Sequence, residues 1–301
     1  MANPIELYQT EYSNNLLARY QQSKSRLADF VTVEDFDGER KDFPRISSAS
    51  APTNITNAAR FSATPQNEAD FDKRWVYPDA FEKVTHFMQW DEKFLGRIAL
   101  PGSAVMQEHL KAFLRQFDDV VIAAALGNVK TGKLGTTDSA LPGGQKILHG
   151  STGMSITKLL ATLDILDGAD NLDEGDGDRV FVWTVKQRSE LLNTTEVKSA
   201  DYNTVRALAE GKIDSFMGFK FKIVKRLPLV NVAADPDNDP PVWIRSCVAF
   251  QRGAITATRH MKPTSMTVRD DLRNALQIYD TGLIGAARLH DEGVVHIECK
   301  E

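Results

Sequence analysis

The spacing most suggestive of chemistry is Gly127-Asn-Val-Lys-Thr-Gly132-Lys133-Leu134, which sets two glycines and a lysine as a phosphate-binding loop does. In such a loop the glycines let backbone amides close round the phosphates, the lysine meets the outer phosphates, and the next residue gives a hydroxyl to magnesium. Leu134 has no hydroxyl. The context is inverted as well. A phosphate loop leaves a strand and enters a helix whose first amides face the anion, whereas this segment follows a predicted helix end. A nucleotide-binding enzyme built on residues 127–133 therefore stands only as a minor alternative.

Metal and nucleophile chemistry fare no better. Asp235, Asp237 and Asp239 have the first three spacings of a calcium loop, but Pro240 stands where the sharp turn needs glycine and Ser246 where the bidentate glutamate belongs. Asp173, Glu174, Asp176 and Asp178 read as a solvated turn. The histidines at 86, 109, 149, 260, 290 and 296 form no His-Glu-x-x-His helix, and there is no Gly-x-Ser-x-Gly turn. Distant residues can still meet in a folded triad, but the sequence singles out no set. Cys247 and Cys299 have no partner at zinc-ligand spacing, which excludes a zinc ribbon and a disulfide framework. No catalytic residue, cofactor or metal is assigned.

The elements that carry these residues form an unusual series. Asn3-Pro4 is a helix start, and Ile5, Tyr8, Tyr12, Leu16 and Tyr20 follow on one stripe. That stripe fits packing on the chain's own core or docking on another subunit, and by itself favours the former. From Pro44 to Asp70 the chain turns to Ser, Ala, Thr, Asn and Pro, with Ile46, Ile55 and Phe61 its large apolar residues and Phe71 just beyond. Such a segment cannot build a core. Its β-prone flanks allow a long hairpin as readily as a loose loop, and composition alone favours the disordered loop.

Residues 76–90 read as extended. Pro101-Gly102-Ser103 then opens a helix that Gly127 stops. Met106, Leu110, Phe113, Phe117, Val120, Val121 and Ala124 fall on one stripe, with Gln107, Lys111, Arg115 and Asp118 turned away. About 24 residues make a rod of roughly 36 Å. Beyond it the pattern predicts helices over 156–166 and 202–210, a buried strand over 180–185, and an alternating strand through Phe219, Phe221 and Ile223 with Lys220 and Lys222 outward. Further strands are expected over 242–250, 254–258, 275–279 and 294–297. The irregular alternation of helix and strand indicates the α+β class.

Composition bounds the function. The 301 residues carry 36 Lys+Arg against 41 Asp+Glu, a net charge of −5, which removes the broad positive field of a nucleic-acid-coating protein. Hydrophobic residues at 42% and charged residues at 26% are those of a chain with ample core. No apolar run approaches about 20 residues and the first twenty lack a signal-peptide pattern, so the expectation is folding in a reducing cytoplasm without a membrane span.

An arm-like helix, a core-poor hairpin, a long helix and then a compact α/β region suit a lattice better than a self-sufficient monomer. Their order resembles the major capsid proteins of tailed double-stranded-DNA phages, the Hong Kong 97 capsid fold. The resemblance runs through Lys73-Arg-Trp-Val-Tyr-Pro78 to Trp90-Asp91, through the helix Met106 to Leu126 with Asp118-Asp119, and through Asp201-Tyr202, Leu208-Ala-Glu-Gly211 and Gly218-Phe219. It ends in Gly285-Ala-Ala-Arg288 and Val294-Val-His-Ile297.

The resemblance implies an N-terminal arm over 1–35, an extended loop over 36–76, a peripheral domain over 77–150 and 264–301 with a spine helix at 103–126, and an axial domain over 151–263. It implies a virion shell of pentamers and hexamers assembled in the host cytoplasm, a separate scaffolding protein, a portal, and enclosed double-stranded DNA bound without sequence preference. Tyr8, Tyr12, Leu16, Ile46, Ile55 and Phe61 become the candidate inter-subunit contacts. Some relatives crosslink through a Lys and an Asn, for which Lys41 and Asn57 are the candidates here. An encapsulin-like nanocompartment shell is the alternative within the same fold.

Overall fold

The computed structural model describes residues 22–48, 70–88, 102–168, 179–193, 215–232, 242–262 and 264–301. The chain divides into two compact units, one drawn from residues 1–25, 79–117 and 260–284, the other from 26–78, 118–259 and 285–301.

In the first unit residues 275–284 of the strand β15 (Ala275–Arg288) are flanked by β4 (Asp79–Phe87) and β14 (Ser265–Arg269), both antiparallel to it. The first part of helix α1 (Gly102–Leu126) lies on this sheet, with Phe113 and Phe117 buried. Gly282 on β15 lets it approach: a Cβ there would stand 3.4 Å from the Phe113 ring and 3.2 Å from the His260 carbonyl.

The second unit is built on a seven-stranded sheet. Its order is β7 (Lys146–Ile147), β16 (Val294–Lys300), β12 (Val242–Gln251), β8 (Arg179–Trp183), β10 (Phe219–Ile223) and β9 (Ser215–Phe216), with β11 (Leu229–Val232) also on β12. All five residues of β8 are buried, as a central strand requires. Phe181, Trp183, Phe219 and Phe221 pack across β8 and β10, the last pair of rings that touch, Trp183 and Phe221, stacked at 4.2 Å. Helices α2 (Ile156–Gly168) and α3 (Val185–Asn193) belong to this unit. A four-stranded sheet, β2 (Lys41–Ser48), β3 (Asp70–Val76), β5 (Val129–Thr131) and β6 (Thr137–Ser139), completes it, and β1 (Thr32–Glu34) runs parallel to β13 (Ile255–Met261).

Several expectations change. Asp118 is fully buried, not turned away: its carboxylate accepts the backbone N–H groups of Arg26 and Leu27 at 3.0–3.2 Å. Leu110, expected on the buried stripe, is 49% exposed, and the buried ridge runs instead through His109, Phe113, Phe117, Val121 and Ala125. This is the i+4 row of a helix, which slants round the axis instead of following one face. The strand expected over 180–185 ends at Trp183 and α3 begins at Val185. Its start carries half of a capping box, since Gln187 Oε1 reaches back to accept the backbone N–H of Thr184 and also takes the Thr184 hydroxyl. The strand expected over 275–279 continues to Arg288. Lys220 and Lys222 are half-buried, with Lys222 Nζ 5.1 Å from the Phe30 ring centre. The helix expected over 202–210 and both acidic turns lie outside the described residues.

Candidate assembly surface

Residues 41–48 and 70–76 pair as an antiparallel stem, with Phe43 opposite Arg74 and Ile46 opposite Phe71. The two halves of this stem live in different environments. At the root, Phe43, Val76, Val129 and Ala287 form a buried cluster with Leu289 against it. Beside the cluster lies a charge lattice. Asp291 accepts Arg74 Nη2 at 2.8 Å on one oxygen and Arg288 Nε at 2.5 Å on the other, and Arg288 is wholly buried.

The other arm of the Arg288 fork donates to the carbonyls of Ala125 at 3.1 Å and Gly127 at 2.9 Å. These are the orphan acceptors at the end of α1, where the helix dipole also favours a cation. One guanidinium thus ties the end of the long helix to the base of the stem. Arg45 adds a second tie, donating to the Leu289 carbonyl at 2.8 Å while pairing with Asp72 at 3.3 Å.

At the outer end the stem carries uncovered apolar surface. Ile46 is 60% exposed and Phe71 74%, directly across the ladder from each other. They line a cleft of about 450 Å³ with Pro44, Arg45, Asp72, Lys73, Gly132 and Lys133. Gly132 and Lys133 belong to the turn between β5 and β6, not to a loop entering a helix. Trp75 Nε1 donates to the Gly132 carbonyl at 2.7 Å, which pins that turn against the stem. A phosphate cradle needs the amides of a helix N-terminus. Here Gly127 ends α1 and Gly132 serves a β-turn, so the geometry gives the phosphate-loop spacing a structural explanation.

Comparison with known proteins decides what such a stem belongs to. The model of a family described as phage capsid protein matches residues 5–301. The chain belongs to the phage capsid protein family. Its structure is similar to the capsid of the cyanophage P-SCSP1u, at TM-score 0.69 and 18% identity, over 97% of this chain and 93% of that one. It is similar to the capsid of a native GTA particle, at TM-score 0.70 and 14% identity over 98% and 96% of the two chains. The acid-stable capsid of Helicobacter pylori bacteriophage KHP30 gives TM-score 0.70 at 12% identity, again over 98% and 96%. A search by sequence among curated proteins finds no match. The α+β class and the capsid fold named after Hong Kong 97 are thereby those of this chain.

For a phage capsid protein the functional site is a surface, and the structure places the candidate contacts unevenly. Ile46 is on the exposed end of the stem. Tyr8, Tyr12, Leu16, Ile55 and Phe61 lie outside the described residues, as does Asn57. Lys41 pairs with Glu34 at 2.7 Å and donates to the Asp35 carbonyl at 2.7 Å. Phe71, the most exposed large apolar side chain on the stem, was visible in the sequence as an aromatic at the edge of the core-poor segment. Arg74, Arg288 and Asp291 were not, since 217 positions separate Arg74 from Asp291.

Capsid proteins must also hold their units rigid, and two buried polar groups do so. In the first unit His109 Nδ1 meets Asp280 Oδ2 at 2.6 Å and its Nε2 meets Thr85 Oγ1 at 2.8 Å, while Thr264 donates to the other Asp280 oxygen. The set links α1, β4 and β15. In the second, the Lys158 ammonium donates to the carbonyls of His149, Thr152 and Glu298 at 2.8–2.9 Å. Burial pushes its pKa down, opposed first by the nearby Cys299. With three carbonyls on three donors the ammonium is saturated, which suits a strut and not a nucleophile.

Proposed function

We propose that this chain is the major head protein of a tailed phage, assembling as pentamers and hexamers into an icosahedral shell round double-stranded DNA. The observation that carries the reading is the stem: its root is locked by Arg288, Asp291 and Arg74, while Ile46 and Phe71 stand uncovered at its outer end. A structural element held this firmly at one end presents its apolar pair for a neighbour to bury. On this reading residues 1–35 are the arm, 36–76 the extended loop, 77–150 and 264–301 the peripheral domain and 151–263 the axial domain. Tyr8, Tyr12, Leu16, Ile46, Ile55 and Phe61 make contacts between subunits. A separate scaffolding protein shields these surfaces before assembly in the host cytoplasm, and a portal occupies one vertex.

The mechanism is burial on assembly. Contacts spread over several neighbours reach the roughly 2,000–5,000 Å² of obligate interfaces. The net charge of −5 fits a wall that encloses DNA without coating it. Deletion of residues 47–66 tests the claim: circular dichroism and thermal melting should stay close to those of the parent while closed particles vanish. Normal particles from the deleted chain would refute it. The contents of purified particles after nuclease treatment decide between a phage head, which protects double-stranded DNA, and a nanocompartment, which protects a cargo enzyme.

A further inference from the structure

Cys247 and Cys299, which have no partner in the sequence, meet in the second unit. Cys247 pairs with Ile297 across the ladder, and Cys299 lies two residues beyond Ile297 on β16. Residues paired across a ladder share a face, as do residues two apart on a strand, so the two thiols form a diagonal pair on one side of the sheet. A third sulfur joins them. Cys299 Sγ donates to Met154 Sδ at 3.7 Å and accepts a hydrogen bond from Cys247. All three side chains are buried.

The spacing suits an ion between the sulfurs better than a bond between two of them. Diagonal neighbours have Cα atoms about 7–8 Å apart, beyond the roughly 4.4–6.8 Å over which a disulfide closes. With metal–sulfur bonds of about 2.3 Å, two sulfurs on one ion stand about 3.8 Å apart at a tetrahedral angle and about 4.0 Å at a trigonal one. The Cys299–Met154 separation of 3.7 Å is close to both. The ion replaces the thiol protons, so the site needs no cavity of its own.

The ligands name the ion. Thiolates and a thioether together select a soft cation, copper(I) above all. Among the described residues no three His, Cys, Asp or Glu side chains form a metal site, so a harder ion has no competing set there. Charge points the same way. Two thiolates round one monovalent cation leave a charge of −1, which a buried site must pair. The Lys158 ammonium supplies the partner: it is fixed by the carbonyls of His149, Thr152 and Glu298 at 2.8–2.9 Å, and ionised Cys299 and Cys247 act on it more strongly than Glu190 or Glu298. Copper(I), two thiolates and the ammonium sum to zero, whereas zinc in the same place would leave +1.

The third ligand is held in place before any ion arrives. The Met154 N–H donates to Glu190 Oε2 at 2.8 Å, and the Lys300 N–H donates to the Thr152 carbonyl at 3.0 Å, tying this segment to the end of β16. Such support is what a metal ligand needs from its surroundings.

We propose that Cys247, Cys299 and Met154 form a binding site for one copper(I) ion, which joins β12, β16 and the segment before α2. Binding breaks two S–H bonds and releases two protons to solvent, and it forms two copper–thiolate bonds and one copper–thioether bond. No electron is transferred. The site lies within one chain, so this proposal and the shell reading stand or fall separately.

The full chain tests it under nitrogen, with copper(I) supplied to the folded protein and, separately, during refolding from urea. One copper per chain should survive dialysis against a copper(I) chelator, and X-ray absorption should show three sulfur neighbours at about 2.3 Å. Met154→Leu, a change that conserves volume, should leave two sulfurs and weaken the affinity at least tenfold. Cys299→Ser should abolish retention; if that variant does not fold, the methionine variant decides alone. The melting temperature should rise by roughly 4 °C with free copper at a hundred times Kd. Retention of no copper by either route would overturn the proposal. So would an unchanged sulfur count in Met154→Leu, which would put the ion on other residues, or loss of the copper to a hundredfold excess of zinc.

Discussion

Arg288 sits where three demands meet: the end carbonyls of a helix, a buried carboxylate, and the root of a strand pair. Its planar fork can serve two carbonyls and Asp291 together, which a lysine's compact ammonium cannot. Removing it leaves Asp291 facing Arg74 with half its partners and leaves Ala125 and Gly127 without a donor from this side chain. Loss of one partner from a buried ionic set costs about 3–5 kcal/mol. Arg288→Met should therefore lower the unfolding free energy by about that amount in urea denaturation, and Arg288→Lys should recover less than half of it. A loss under about 1 kcal/mol would show that the lattice contributes nothing to the stem's root.

Two histidines fix the response to acid. Burial holds the imidazoles of His290 and His296 below the ordinary 6.5, with Arg45 adding to the effect at His290 and Lys146 at His296. The unfolded chain therefore takes up these protons first as the pH falls, and stability follows the proton balance of the two states. Stability should decline as the pH drops below 6.5, and the decline from this source should end once the folded imidazoles titrate. His296→Gln should flatten that limb in melts measured between pH 7 and 5; an unchanged slope would contradict the assignment.

Among the elements, those with strong periodicity were legible before the structure. The helix predicted from Ser103 to Leu126 is α1 within one residue, because its apolar spacing is regular and Gly127 ends it. The stem was legible as a possibility from β-prone residues on both sides of a core-poor run, and the pairing of Lys41–Ser48 with Asp70–Val76 is such a hairpin base. The full length of β15 was hidden by Asp280, Gly282 and Gly285, poor strand formers each. Tertiary packing requires those glycines: a Cβ on Gly285 would come within 2.8 Å of Val76 Cγ1. Helix α3 was missed because it is short and polar, although Thr184-x-x-Gln187 announces it. Arg74, Arg288 and Asp291 were invisible, because nothing local marks charges that meet only through long-range strand pairing.

The stem also gives a clean separation of stability from assembly. Ile46 and Phe71 are mostly solvent-facing, so Ile46→Asp with Phe71→Asp should change the unfolding free energy by no more than about 0.5 kcal/mol each. The same pair of changes should prevent particle formation, because each new carboxylate must be desolvated against a neighbour. Urea denaturation reads the first effect, and light scattering of the variant beside the parent reads the second. Particles from the variant at parental yield would remove the stem from the list of contacts.

At the scale of the whole molecule, a long helix and a hairpin with an uncovered end make sense as parts of a repeated surface. Each leaves apolar area that the described residues of one copy do not bury, and identical copies can share such surfaces through closed symmetry. Neither the β5–β6 turn that carries Gly132 and Lys133 nor the saturated Lys158 requires a bound ligand to explain it. The family assignment over residues 5–301 and the capsid-like structure agree with that division of labour between rigid core and shared surface.

The central claim is that this chain builds a closed container from copies of itself, and electron cryo-microscopy of the protein expressed alone and beside the proposed scaffolding protein tests it most directly. The account predicts icosahedral particles whose pentamers and hexamers place density of one subunit over Ile46 and Phe71 of the next. A species that stays monomeric at every concentration, with Ile46 and Phe71 still bare in the presence of the scaffold, would contradict it.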